Sequence, residues 1–191
     1  MATKPGERKQ QILETLAKML ETPTQEKITT ASLAAKLDVS EAALYRHFAS
    51  KAQMFEGLII FIEETIFGLI NKISSEETDG LRQVHRIITM LLMFAEKNPG
   101  MTRVLIGDAL VNEEERLQVR MNQLYDRIEV TIKQSLRIAQ TQSGSQGDSE
   151  AQANMLVCFV AGRWQQFAKS GFKRKPSEFL QQQINMLLNT H

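Results

Sequence analysis

The chain has 191 residues and a mass of 21.7 kDa, enough for one large domain or two small ones. Hydrophobic residues at 42% and charged residues at 24% lie near globular averages and exclude a disordered, collagen-like or disulfide-stapled chain. The one cysteine, Cys158, excludes an internal disulfide and a thiolate zinc cluster. No signal-peptide pattern opens the chain, and its longest apolar stretch, residues 57–62, stops at Glu63, so no membrane span and a cytoplasmic location are expected. Net charge is +1, and residues 1–51 hold eight Lys/Arg against six acids. Contact with nucleic acid must therefore come from the placement of charge or from two copies.

The four prolines, Pro5, Pro23, Pro99 and Pro176, fall where apolar periodicity lapses, and the stretches between them repeat at three and four residues. An all-α fold is expected. A first helix over 7–21 carries Ile12, Leu13, Leu16, Met19 and Leu20 on one face and stops before Thr22-Pro23. Thr29 or Thr30 caps a short helix to 36, and Ser40 caps the next, with Glu41 in its first turn against the helix dipole. Ser50-Lys-Ala-Gln53 has capping-box form and opens a long helix to about 74. Its two apolar stripes, Met54, Leu58, Phe61, Thr65, Leu69, Ile73 and Phe55, Ile59, Ile62, Ile66, Ile70, predict packing from two sides. Helices follow at 81–97, 101–110 and 113–139. The polar run 141–149 reads as a flexible linker, Ser149-Glu-Ala-Gln152 as a second capping box opening a helix to 170, and 177–188 as a last helix. Trp164, Phe159 and Phe167 share one stripe beside Ala161 and Gly162, which suits a dimer core. The domains expected are 1–53 and 54–191.

Residues 29–48, Thr29-Thr-Ala-Ser-Leu-Ala-Ala-Lys-Leu-Asp-Val-Ser-Glu-Ala-Ala-Leu-Tyr-Arg-His-Phe48, carry the chemistry. Leu33, Ala34, Leu37, Val39, Ala43, Leu44 and Phe48 are spaced to close two short helices across the corner Leu37-Asp38-Val39, which is helix-turn-helix spacing. The corner wants a residue tolerant of left-handed backbone, and Asp38 is acceptable there. The hydroxyls of Thr29, Thr30 and Ser40, the Tyr45 phenol, His47 and Lys51 suit phosphate oxygens. Ala42 suits a thymine methyl, Glu41 a cytosine amine, and Arg46 a guanine or a phosphate. Periodicity alone leaves two readings equal, a duplex-reading motif and a solvated helix pair.

The stretch Val39-Ser-Glu-Ala-Ala-Leu-Tyr-Arg-His-Phe-Ala-Ser-Lys51, followed by Met54-Phe55, resembles the signature of TetR-type DNA-binding domains. Asp38 and Ala49 stand where that family often carries Gly and Pro. The resemblance implies an N-terminal three-helix DNA-binding domain, a larger helical C-terminal domain, and a homodimer made by the last two long helices. Arg8-Lys-Gln-Gln-Ile-Leu-Glu-Thr-Leu-Ala-Lys-Met-Leu-Glu21, Phe61-Ile-Glu-Glu64, Asn98-Pro-Gly-Met-Thr-Arg103 and Gly171-Phe-Lys-Arg-Lys-Pro176 are similar to the nucleoid occlusion branch of the family. For that branch the resemblance implies nucleoid-associated dimers on palindromic double-stranded DNA that bind the C-terminal tail of the division protein FtsZ and antagonise ring assembly. Phe61 and Asn98 match the implied partner surface, Lys97 replaces an Arg there, and Leu69 stands in place of another. Independently, Phe61, Phe94, Met90 and Met93 rimmed by Lys97 would suit a peptide with acidic flanks, although Met90, Met93 and Phe94 fit an ordinary core better.

No enzyme is expected. His47, His85 and His191 are dispersed, and no nucleophile elbow, phosphate-binding glycine pattern or metal-ligand spacing occurs, so neither a cofactor nor a metal is called for. The alternative function is a ligand-responsive TetR-type repressor, for which His85, Thr89 and Gln123 are the candidate polar contacts.

Overall fold

A computed structural model describes residues 5–22 and 28–188; Lys4, Pro23, Lys27 and His191 lie outside them. The order is α1 (Pro5–Leu20), α2 (Thr30–Lys36), α3 (Glu41–Tyr45), α4 (Lys51–Glu76), α5 (Gly80–Lys97), α6 (Pro99–Leu105), a 3-10 turn (Asp108–Leu110), α7 (Glu115–Ser143), α8 (Ser149–Lys169) and α9 (Leu180–Leu188). None of the helices among the described residues is long and apolar enough to cross a membrane. Helices α1 to α3 make a small head on the first turns of α4, and α5, packed on α4, α6, α7, α8 and α9, is the centre of a larger body.

The head is set by caps and one corner. Thr29 Oγ1 accepts the Ser32 amide at 3.1 Å while Ser32 Oγ accepts the Thr29 amide at 3.0 Å, a reciprocal box that starts α2. At its other end Val39 N donates to Ala34 O at 3.0 Å and Asp38 N to Ala35 O at 3.2 Å, a Schellman closure with Asp38 in the left-handed region at φ 54°. Ser40 then caps α3, accepting the Ala43 amide at 3.3 Å. Ser50 caps α4, but the return bond of its box comes from one residue earlier: Gln53 Oε1 accepts the Ala49 amide at 2.8 Å.

Helix α4 buries its Phe55, Ile59, Ile62, Ile66 and Ile70 stripe completely. The other stripe is buried only at Met54, Leu58 and Ile73, while Phe61 and Leu69 are 44% and 39% exposed, so packing is not two-sided along its whole length. Charge pairs hold the flank of α4 to α7. Arg120 grips Glu63 through Nε at 3.1 Å and Nη2 at 2.7 Å, Arg116 reaches Glu56 at 2.9 Å, and the Arg127 guanidinium lies 3.8 Å over the Phe67 ring. The bidentate bond to Glu63 holds Arg120 more firmly protonated than an ordinary arginine.

The body closes around Trp164. Its indole Nε1 donates to Leu91 O at 3.2 Å and its ring meets Tyr125 edge-on at 5.8 Å, while the Tyr125 hydroxyl donates to Leu105 O at 3.0 Å. Burial pushes the Tyr125 phenol far above its ordinary pKa. Trp164 and Phe167 are therefore interior residues of the single chain, and Phe159 is half-buried; the expected dimer core does not use the first two. One exposed stripe of α8 carries Ala151, Met155, Cys158 and Gly162 at helical spacing, with the polar Glu150, Asn154, Gln166 and Lys169 exposed beside it.

Several boundaries differ from the sequence expectation. Helix α6 starts at Pro99, a natural first helical position, and stops at Leu105 because Gly107 turns left-handed at φ 78°, so 101–110 is not one helix. The connection in the polar run 141–149 is shorter than expected, residues 144–148: α7 continues to Ser143, Gln142 Oε1 accepts the Gly80 amide at 3.0 Å and its Nε2 donates to Thr78 O at 2.7 Å. Asp148, not Ser149, caps α8, accepting the Glu150 and Ala151 amides at 2.9 and 3.0 Å, while Ser149 is buried. A turn over 177–179 precedes α9, which begins at Leu180.

Head and body meet where α6 crosses α1. A Cβ on Gly100 would fall inside the contact radius of Ala17 O and lie 3.2 Å from Leu20 Cβ, so only glycine fits between these backbones. Gly100→Ala is expected to cost about 1–3 kcal/mol, read as a lowered urea midpoint at unchanged m-value. At the corner, Asp38→Gly is expected to gain about 0.5–1 kcal/mol by removing the left-handed Cβ penalty, and Asp38→Val to lose at least as much.

Candidate nucleic-acid interface

The starts of α2 and α3 lie side by side on one surface, tied by side chains. Thr30 Oγ1 donates to Glu41 Oε2 at 2.5 Å, and the Tyr45 hydroxyl lies 3.4 Å from Thr30 Oγ1 as its donor. Glu41, Ala42, Tyr45 and Arg46 are all exposed, with Ala42 and Arg46 one turn apart. Helix α3 has only five residues, and its small N-terminal side chains let the backbone approach a groove closely.

The expected phosphate contacts divide by what their protons are doing. Thr29 and Ser40 accept capping bonds, which leaves each hydroxyl proton free to donate to an oxygen. Thr30 and Tyr45 spend theirs within the cluster, where they hold the Glu41 carboxylate in place. The Arg46 guanidinium has no side-chain partner among the described residues, and His47 is half-buried. Lys51 is engaged: its Nζ lies 2.5 Å from Glu113 Oε1 and 5.6 Å from the Phe55 ring centroid. Neither the Thr30–Glu41 bond nor the Lys51–Glu113 pair has a local signature, the second joining residues 62 positions apart.

The residues of the expected partner surface are differently placed. Phe61 stands exposed on α4, and Lys97 is exposed in the last turn of α5, one turn from Met93 at 36% exposure. Asn98 is the hinge between α5 and α6: its Nδ2 donates to Phe94 O at 2.8 Å and its carbonyl accepts the Thr102 amide at 2.9 Å. Phe94 is a core residue and Met90 is half-buried, so of the expected apolar groove only Phe61 and Met93 are exposed. Of the expected ligand contacts, Thr89 Oγ1 is buried without a hydrogen-bond partner, and His85 and Gln123 lie at separate places. His85 Nε2 lies 3.3 Å from Gln181 Oε1 of α9, whereas Gln123 lines an open furrow of about 440 Å³ with Glu56, Glu63, Arg116, Arg120 and Arg127.

A helix-turn-helix head on an all-helical body is the architecture of TetR-type regulators. Residues 12–58 match the bacterial regulatory proteins of the tetR family, and residues 78–191 match the SlmA-like tetracyclin repressor-like C-terminal domain. The fold is similar to that of a TetR transcription regulator from Haloarcula marismortui, with a TM-score of 0.80 at 16% identity over 95% of this chain and 96% of that one. The nucleoid occlusion factor SlmA of Alteromonas mediterranea is 52% identical over 95% of this chain and 94% of its own length. That of Idiomarina loihiensis is 50% identical over 98% and 96%. The chain belongs to the SlmA family of nucleoid occlusion factors, a TetR-type family of DNA-binding regulators.

Glu41→Gln keeps size and removes charge; it is expected to change base preference by about 1–3 kcal/mol at the positions this side chain reads, measured by competition on randomised duplexes. Unchanged preference would exclude base reading through this carboxylate.

Proposed function

We propose that the chain is a cytoplasmic, nucleoid-associated homodimer that binds palindromic chromosomal sites through α2 and α3 and, so bound, captures the FtsZ C-terminal tail and antagonises division-ring assembly over the nucleoid. The head holds the DNA: Thr29, Ser40 and Lys51 meet phosphates, Glu41, Ala42 and Arg46 meet base edges, Thr30 and Tyr45 brace Glu41, and His47 stands beside them at the backbone. The exposed face of α8 with α9 pairs the two copies, so that two heads double a modest surplus of positive charge. Phe61 offers an apolar anchor and Lys97 a cation to an acidic-flanked peptide, while Asn98 fixes the corner between α5 and α6 beside them.

The observation that carries the proposal is the full-length similarity to nucleoid occlusion factors together with a head whose exposed polar groups line one surface. Mapping chromosomal occupancy in growing cells tests it. Many dispersed palindromic sites support nucleoid occlusion, and one or a few promoter sites would mean a local repressor.

Phe61→Ser is expected to weaken binding of an FtsZ C-terminal tail peptide at least tenfold, since loss of a buried aromatic anchor commonly costs 2 kcal/mol or more. Duplex affinity should be unchanged. Equal loss of both would place Phe61 in folding rather than in partner capture.

A further inference from the structure

Lys51 is the first residue of α4, directly after its cap Ser50, at the edge of the helix-turn-helix head. In the free chain its ammonium is already matched by an anion. The Glu113 carboxylate sits 2.5 Å away, and the pair is partly shielded, with side chains 27% and 14% exposed. Glu113 is not a residue of the head. It comes from the turn between the 3-10 turn and α7, where Asn112 is left-handed at φ 65° and the Glu113 amide donates to Leu110 O at 3.0 Å. The adjacent Glu114 faces the other way, to Arg116 at 2.6 Å, so in this turn Glu113 is the carboxylate directed at the head.

We propose that Glu113 is a built-in competitor of DNA, an internal carboxylate that occupies Lys51 where a phosphate oxygen would bind. The proposal rests on the reading of Lys51 as a backbone contact. An ammonium has three protons and can touch two anions at once, but a carboxylate left beside a docked phosphate makes one positive charge serve two negative ones. Docking therefore exchanges Glu113 for phosphate. Because Glu113 belongs to the body, a shift of the turn before α7 changes the affinity of the head for every sequence alike, with no change in the residues that read bases. The pair is sheltered enough to escape much of the screening that flattens exposed ion pairs.

The test measures full-length protein against a palindromic duplex selected for it and an unrelated duplex over a range of salt. Glu113→Gln is expected to tighten both about tenfold per dimer with little change in the dependence of log K on log salt, because Lys51 meets the same one phosphate per head in either complex. In a Lys51→Ala background the same change should do nothing. Glu113→Gln that weakens binding makes Glu113 a positioning residue and overturns the proposal, as does an unchanged affinity. If Lys51→Ala itself leaves affinity and salt slope untouched, the reading of Lys51 as a phosphate contact fails and the competitor with it. Lys51→Ala that weakens binding beside a neutral Glu113→Gln sinks the competitor alone. Glu113→Ala and thermal unfolding of each variant separate these outcomes from loss of the fold.

Discussion

The burial of one stripe of α4 holds the molecule together. Phe55 and Ile59 belong to the part of the helix on which the head sits, Ile66 and Ile70 to the part against which α5 is laid, and all lie on one continuous side. A rigid rod with a single apolar side cannot bend at the boundary between head and body without exposing part of that stripe. The head is thus aimed by the same side chains that fill the body. Glu56, Glu63 and Phe67 on the flank of the rod meet Arg116, Arg120 and Arg127 of α7, which fixes its rotation about its own axis. With that rotation fixed, Phe61 and Leu69 have nowhere to go but the surface.

Much of this was legible in the amino acids, and the parts that were not share a cause. The caps Thr29, Ser40 and Ser50 and the left-handed Asp38 follow from interactions within a few residues, so local chemistry predicts them. The polar run after 140 misled because glutamines were read by composition, whereas Gln142 is a distant cap for the amide of Gly80. Trp164 and Phe167 misled for a related reason. A stripe of aromatics beside small residues looks the same whether its partner is a second copy or the chain's own α5, and the carbonyl of Leu91 that accepts the indole proton is 73 residues away.

The interface shows the same division at finer grain. Residue types and spacing marked Thr29, Thr30, Ser40, Glu41, Tyr45 and Lys51 as polar groups on one motif, yet only coordinates separate hydroxyls with a proton to give from those already giving it. Thr30 donates to Glu41 and Tyr45 to Thr30, and Lys51 turns toward a loop that no local pattern connects with it. The candidate interface is thus a set of polar groups already bonded to one another or to the body.

The placement of Trp164 has a consequence for watching the two halves of the molecule. It is the single tryptophan of the chain, sealed in the body with its N–H bound and Tyr125 against its ring, while the other tyrosine, Tyr45, stands exposed on the head. The body thus carries the indole and a sealed phenol, and the head a single solvated phenol. Indole emission follows the melting of the body and is blind to fraying of the head, and the ultraviolet signature of a solvated phenol follows the exposed face of the head, so the two halves can be observed separately with no label attached.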